Sequence, residues 1–303
     1  MDSVVIKDLV KTYGTTEAVR EISFSIHKGE IFGFLGPNGA GKTTTLSCIC
    51  QLATKTTGTI VVEGHDIDKD YRDAKRRIGL SPQEPSFDLY FSVIDTLVAQ
   101  GGYFGMRQKD AQARALQLLT QFGLLEKKDA LFRELSGGMK RKVSIIKALM
   151  HNPSVLILDE PTAGIDVDSR YELWELIRQL NKDGMTIILT THYIEEAHRL
   201  CDRIGIIAKG SLIKLDKTKT IVDELSRNVI RFYLETDKRP LALEGFEHTH
   251  RDGQLEIYVA KKEQADVLKK VLHIFEKEKV PYANFAVEED TLENIFRRLV
   301  REH

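Results

Sequence analysis

Residues 36–43 read Gly-Pro-Asn-Gly-Ala-Gly-Lys-Thr, a G-x-x-x-x-G-K-[ST] pattern between the apolar run Ile31–Leu35 and a helical stretch that starts at Lys42. Few folds accommodate a buried strand, a glycine loop and a helix in that order. The glycines let successive backbone N–H groups turn inward around phosphate oxygens, and the helix N-terminus adds its partial positive charge. The pattern assigns Gly36, Pro37, Asn38, Gly39, Ala40, Gly41 and Thr44 to the phosphate cradle. Lys42 reaches the β- and γ-phosphates, and the Thr43 hydroxyl binds magnesium. A nucleoside triphosphate with magnesium is the expected ligand.

A second element completes this chemistry. Val155–Leu158 is a continuous apolar run, and the carboxylates Asp159 and Glu160 follow it at the strand end where open α/β sheets bind ligands. Asp159 is suited to hold magnesium, and Glu160 to take a proton from an attacking water. A third feature is Leu135-Ser136-Gly137-Gly138, which opens a helix over Met139–Met150 and so offers a second glycine-plus-helix anion site. Lys140, Arg141 and Lys142 fall in the first turns of that helix, where cations oppose its dipole; a nearby anion would relieve the conflict.

Around these motifs the pattern alternates. Val4–Val10, Ile22/Phe24/Ile26, Ile31–Leu35, Thr59–Val62 and Ile78–Leu80 read as strands, and about Ser92 to Met150 as mostly helical. Val155–Leu158, Ser169–Leu180, Thr186–Thr190, Ile194–Leu200, Ile204–Ala208 and Leu212–Leu215 continue as strand, helix, strand, helix and two strands. This predicts a mainly parallel α/β sheet with a helical insertion. Asp216-Lys217-Thr218-Lys219-Thr220 is polar and unpatterned, and marks a boundary near residues 216–228. Beyond it a small α+β module is expected: strands at Ile230/Phe232/Leu234 and Leu255/Ile257/Val259, a helix face of Leu268, Val271, Leu272 and Phe275, and a capped C-terminal helix with Asp290, Glu293, Leu292, Ile295, Phe296 and Leu299.

Composition excludes other classes. Lys+Arg total 44 against Asp+Glu 45 in 303 residues, a net charge of −1 that argues against a generic nucleic-acid binder. No apolar run approaches the roughly 20 residues of a membrane-spanning helix. The first residues, MDSVVIKDLVKTYG, carry neither the basic nor the apolar region of a signal peptide. Cys48, Cys50 and Cys201 cannot form a disulfide framework, fit a reducing compartment and read as small buried residues. A cytosolic chain is the expectation. His248-x-His250 reads as solvated loop surface rather than a metal pair, and Asn181-Lys182-Asp183-Gly184 as a helix-ending turn rather than a guanine-reading motif.

Taken together, the chain resembles the ATP-binding cassette (ABC) ATPases over roughly residues 3–215. Leu135–Met139 is similar to their signature motif, and it lies between the phosphate loop and the Asp159 strand as the family order requires. Tyr13 matches the aromatic residue that stacks on adenine. Gln83, in Ser81-Pro82-Gln83-Glu84, matches the residue that touches magnesium and faces the transporter partner. Ala163-Gly164-Ile165-Asp166 is similar to the D-loop, and His192 in Thr190-Thr191-His192 to the switch histidine near the γ-phosphate. Met139 stands where a glutamine is usual, and Ala-Gly where Ser-Ala is more common.

What the resemblance implies is a P-loop NTPase core with an N-terminal antiparallel β subdomain. Residues 1–220 form the nucleotide-binding domain, with a helical subdomain at about 86–152, and residues 221–303 an α+β accessory domain. ATP hydrolysis would use Glu160, His192, Lys42 and Gln83. ATP would lie against Tyr13, residues 36–44 and, from a second copy, Ser136, Gly137, Gly138 and Asp166; Thr43, Gln83 and Asp159 would hold magnesium. The pattern is most similar to ATPase subunits of type-2 bacterial exporters. It implies a head-to-tail, ATP-dependent homodimer on a separate transmembrane permease, at the cytoplasmic face of the membrane. Pro85, Phe87, Leu89, Tyr90 and Phe91 read as an exposed docking patch for that permease. Two other classes share the motifs: soluble cassette ATPases that remodel ribosomes or DNA, which usually carry paired cassettes or long coiled coils, and non-hydrolytic ATP-sensing clamps, against which Glu160 and His192 argue.

Overall fold

The computed structural model describes residues 1–88, 90–225, 227–235, 243, 245–251, 253–260 and 263–289. Internal contacts divide the chain into two compact units, Met1–Thr218 and Lys219–His303. The first opens with β1 (Asp2–Tyr13), β2 (Thr16–His27) and β3 (Ile31–Leu35), followed by α1 (Lys42–Ile49), β4 (Thr57–Val62), β5 (His65–Asp66), α2 (Tyr71–Arg76) and β6 (Ile78–Ser81). The helical stretch comprises α3 (Val93–Tyr103), α4 (Gln108–Gln121), short 3₁₀ turns at Leu125–Lys127 and Phe132–Glu134, and α5 (Gly137–Leu149). Then come β7 (Val155–Asp159), α6 (Val167–Lys182), β8 (Thr186–Thr191), α7 (Ile194–Leu200), β9 (Arg203–Ala208) and β10 (Ser211–Lys217).

These strands form two sheets. One is antiparallel, in the order β2-β1-β4-β5; its strands alternate buried and exposed residues, as a sheet with one solvated face does. The other runs β10-β9-β3-β8-β7-β6 and is parallel except for the edge pair β9–β10. Every residue of β3, β7 and β8 is buried, which explains why their sequences are apolar without alternation. Phe24 of β2 stacks on Phe32 and Phe34 of β3 at centroid distances of 5.4 and 5.5 Å. Together with Leu46, Cys48 and Ile49 of α1 they form a core joining the two sheets. The expected α/β class, antiparallel subdomain and helical insertion are thus present.

The second unit contains α8 (Thr218–Leu225), which begins at the junction, β11 (Arg227–Leu234), β12 (His248–Arg251), β13 (Gln254–Ala260), α9 (Gln264–Glu278) and β14 (Tyr282–Glu289). Its antiparallel sheet runs β12-β13-β11-β14, and Val271 and Phe275 of α9 pack on Ile230, Phe232, Leu255 and Ile257. The polar stretch at 216–220 is not irregular as expected: β10 continues to Lys217 by pairing with Arg203. Thr218 then starts a helix, with its amide bonded to Asp202 O and its hydroxyl to Cys201 O. His248 and His250 lie on edge strand β12 rather than in a loop, and no group of three metal-ligating side chains exists among the described residues. Strand β14, with exposed Phe285 and Val287, is an element the sequence pattern did not suggest. The expected C-terminal helix with Asp290, Leu292, Glu293, Ile295, Phe296 and Leu299 lies outside the described residues.

Candidate functional site

The C-terminal ends of the parallel strands β3, β7 and β8 lie side by side, and each carries part of one site. After β3 the chain makes a tight loop in which Gly39 and Gly41 have φ of 79° and 107°, a left-handed backbone that glycine adopts without strain. Close approach adds a second constraint: a Cβ on Gly36 would lie 2.5 Å from Ile207 O, and one on Gly41 2.6 Å from Ala18 O. The loop surrounds a polar cavity of 280 Å³ lined by Ala18, Asn38, Gly39, Ala40, Gly41, Lys42, Thr43, Thr44, Gln83 and Glu160.

Lys42, only 5% exposed, donates from Nζ to Gly36 O at 2.6 Å and Pro37 O at 3.1 Å, with Glu160 Oε1 at 3.7 Å. Burial pushes its ammonium pKa down, and the Glu160 and Asp159 charges oppose that shift. The Thr43 hydroxyl donates to Asp159 Oδ1 at 3.3 Å, and that oxygen also accepts from the Thr190 hydroxyl. Glu160 sits at φ 45°, and its amide is held by Thr190 O at 3.1 Å and Thr190 Oγ1 at 3.0 Å. The turn aims its carboxylate back over the loop, where Oε2 accepts from Gln83 Nε2 at 3.5 Å and meets His192 Nδ1 at 3.0 Å. Thr190 ties the Asp159 carboxylate and the Glu160 backbone amide to β8, a role that reading Thr186–Thr190 as a strand does not reveal.

Tyr13, Ser136, Gly137, Gly138 and Asp166 do not line this cavity. Tyr13 is half exposed at the end of β1, with Lys11 Nζ 4.4 Å from its ring centroid. Ser136 caps α5 by accepting from Met139 N, and Gly137 and Gly138 form its first turn. Gly138 packs so close to Ser169 that a Cβ would meet its hydroxyl at 2.6 Å. Asp166 caps α6 through Ser169 N at 2.8 Å, which lowers its carboxyl pKa.

The bases of α5 have partners within the chain, so the expected conflict with the helix dipole is met without an external anion. Arg141 is buried and donates to Pro82 O and Gln83 O, both at 2.7 Å; Lys142 pairs with Glu172 at 2.8 Å, and Lys140 Nζ lies 5.4 Å from the Phe132 ring centroid. The Gln83 loop is therefore tied to the helix that begins at the signature turn. Its apolar residues are divided: Phe87 stacks on Phe132 at 3.7 Å, whereas Tyr90 is 86% exposed and Phe91 half exposed. Leu89 lies outside the described residues.

A polar cradle built from a glycine loop, one buried ammonium and two carboxylates can bind a nucleoside triphosphate and hydrolyse it. The ABC transporter family profile matches residues 19–163. The linearmycin resistance ATP-binding protein LnrL of Bacillus subtilis (strain 168) is 43% identical over 224 residues, 74% of this chain and 72% of that protein. This chain belongs to the ABC transporter family. The Nod factor export ATP-binding protein I of Burkholderia orbicola is 42% identical over 228 residues, 75% of each chain. Among solved structures, cbiO1 from Clostridium perfringens, part of an ABC transporter complex, superposes with a TM-score of 0.68 at 29% identity, covering 74% of this chain and 91% of its own. A dimeric ATP-binding cassette in a post-hydrolysis state with ADP and Pi does so at 0.65 and 26%, covering 71% and 98%. The chain is an ABC ATPase that binds and hydrolyses ATP. No helix among the described residues is long and apolar enough to cross a membrane.

Proposed function

We propose that this cassette powers export through a separate transmembrane permease, working as a head-to-tail dimer that closes on ATP and opens after hydrolysis. One observation carries the reading: the chain's cavity is lined by the phosphate loop, Gln83 and Glu160, while the signature turn 135–138 caps a helix elsewhere. One chain thus supplies two complementary halves, and two copies supply two whole sites. The relatives whose names specify export or resistance support the direction of transport.

In this reading Lys42 neutralises the β- and γ-phosphates, and the backbone amides of residues 38–43 bind their oxygens. Tyr13 stacks on the adenine. The Thr43–Asp159 pair, with Gln83 beside it, fits magnesium, which when bound would neutralise phosphate charge. Glu160 takes a proton from the water as its oxygen bonds to the γ-phosphorus and the ADP oxygen leaves. His192, bonded to Glu160 Oε2, orients that carboxylate. Ser136, Gly137, Gly138 and Asp166 of the second copy close over the nucleotide.

We assign 1–220 as the nucleotide-binding domain, with its helical subdomain at 86–152, and 221–303 as an accessory domain. A groove of 260 Å³ is lined by Leu52, Leu80, Pro85, Phe87, Gln100 and Lys147, and there, with the exposed Tyr90 of the same loop, a permease would dock on the cytoplasmic side. Glu160→Gln keeps the size of the side chain and loses the base, so this variant should bind ATP without turnover and accumulate as dimer. Light scattering that finds it monomeric in ATP and magnesium would refute the clamp.

A further inference from the structure

The signature turn and the turn that ends at Asp166 lie against each other within a single chain. Ser136, Gly137, Gly164 and Asp166 are exposed, whereas Gly138 is buried and Ser169 half-buried. A Cβ on Gly137 would lie 4.0 Å from Gly164 O. A Cβ on Gly138 would lie 2.6 Å from Ser169 Oγ and 2.9 Å from Ser169 Cβ. Outside its own helix it would meet nothing else within 4 Å among the described residues.

The backbone does not ask for glycine at position 138. It is the second residue of α5 and its φ is not positive, so alanine is the better helix former there. A side chain is excluded from one direction only, by Ser169. That residue is held in turn: its amide donates to Asp166 Oδ1 at 2.8 Å in the cap of α6. One helical turn further along both helices, Lys142 of α5 pairs with Glu172 of α6 at 2.8 Å, so the same two faces stay together. Neither Gly138 nor Ser169 lines the chain's own phosphate cavity.

We propose that Ser169 is a positioning residue for hydrolysis. It seats Gly138 of the signature turn on the helix capped by Asp166, so that both turns reach the partner copy's ATP as one body. The proposal rests on the clamp reading above. It makes position 138 a glycine because of Ser169, not because of the nucleotide that the turn approaches.

An alanine at 138 has to move the signature turn by about 1 Å to regain van der Waals distance from Ser169. A misplacement of that size can cost on the order of a hundredfold in rate, so Gly138→Ala should lower kcat ten- to a hundredfold. The affinity of the monomer for a fluorescent ATP analogue should stay unchanged, because the chain's own cavity is untouched. Adding Ser169→Ala should recover little, since a Cβ remains 2.9 Å away. Adding Ser169→Gly should return kcat to within about threefold of the wild type, above Ser169→Gly alone. A double variant no faster than the slower single overturns the seat and leaves the nucleotide as what excludes a side chain at 138. If Gly138→Ala alone does not fold, the pair is read from the other side: on Ser169→Gly, Gly138→Ala should raise both the denaturation midpoint and kcat, and a further loss overturns the seat. Light scattering in ATP and magnesium separates seat from clamp. The Glu160→Gln background should dimerise, Gly138→Ala should weaken that dimer, and adding Ser169→Gly should restore it. A background that never dimerises overturns the clamp and the paired approach with it. One that dimerises equally well with Gly138→Ala overturns the seat alone.

Discussion

Replacing Arg141 with methionine keeps most of the apolar stem and removes the guanidinium that holds Pro82 O and Gln83 O at 2.7 Å each. Hydrogen bonds from a charged donor contribute ~1.5–3 kcal/mol each. Pro82 and Gln83 are themselves exposed, so water can replace part of what is lost. Desolvation of the charge, which pushes the Arg141 pKa down, is also relieved by the substitution. The net loss of stability should therefore fall at or just below the bottom of the doubled range of ~3–6 kcal/mol, at about 2–3 kcal/mol. Function should suffer separately, because Gln83 reaches Glu160 across only one long contact of 3.5 Å and depends on its backbone for position. Misplacement of a positioned group by about 1 Å can cost on the order of a hundredfold in rate, so kcat should fall ten- to a hundredfold. Urea unfolding followed by Trp174 emission measures the first effect, and phosphate release at saturating ATP the second. A stability change below about 0.5 kcal/mol would refute the hydrogen-bond argument. A full stability loss with kcat within twofold would show that Gln83 is placed by something other than Arg141.

Two other outcomes follow from the surface and from a buried histidine. On the proposed permease docking, Tyr90→Glu should remove the tagged chain from the membrane fraction while its ATPase rate in solution stays within about twofold, because Tyr90 is exposed and does not line the phosphate cavity. Phe87→Glu should instead lower soluble yield, since Phe87 is stacked on Phe132. His151 donates from Nε2 to Ile78 O at 2.9 Å, stacks on Phe104 at 3.7 Å and leaves Nδ1 buried without a partner; burial holds its pKa below the usual 6.5. The unfolded chain takes up a proton at a pH where the folded chain does not, so stability is lost as pH falls through about 6.5 and below. Denaturation midpoints between pH 7.5 and 5 should drop more for the wild type than for His151→Gln, and parallel curves would exclude His151 as the cause.

Much of the catalytic half of this molecule is legible because its chemistry depends on backbone and on contiguous residues. Gly39 and Gly41 must turn left-handed and Gly36 must admit Ile207 O, so a spaced glycine pattern is unavoidable there. The runs Ile31–Leu35 and Val155–Leu158 are apolar because their strands are buried on both faces. Long-range polar partners leave no such trace. Nothing adjacent to Arg141 suggests that it holds carbonyls 58 and 59 residues away, and nothing adjacent to Glu196 suggests the Trp174 indole that bonds it. Thr190 lies in a run that reads as buried strand, yet its hydroxyl organises both Asp159 and Glu160. In the second unit β14 leaves little trace in the sequence because its alternation is weak on its own. Its identity comes from pairing with β11, which ends at Leu234, well before β14 begins at Tyr282.

Glu160 occupies a backbone conformation, φ 45°, that a non-glycine residue adopts at a cost of ~1–2 kcal/mol. Asparagine tolerates that region better, so Glu160→Asn should relax the turn while ending hydrolysis. Selection for folding alone would then drift away from glutamate at this position, and only selection for turnover keeps it. Copies of this gene released from the need to hydrolyse ATP should lose their base early and become, if anything, sturdier proteins. A library sorted for thermal survival, with no demand for activity, would deplete Glu160, the proposed base, well before it touched the neighbouring Asp159, whose carboxylate is anchored by Thr43 and Thr190.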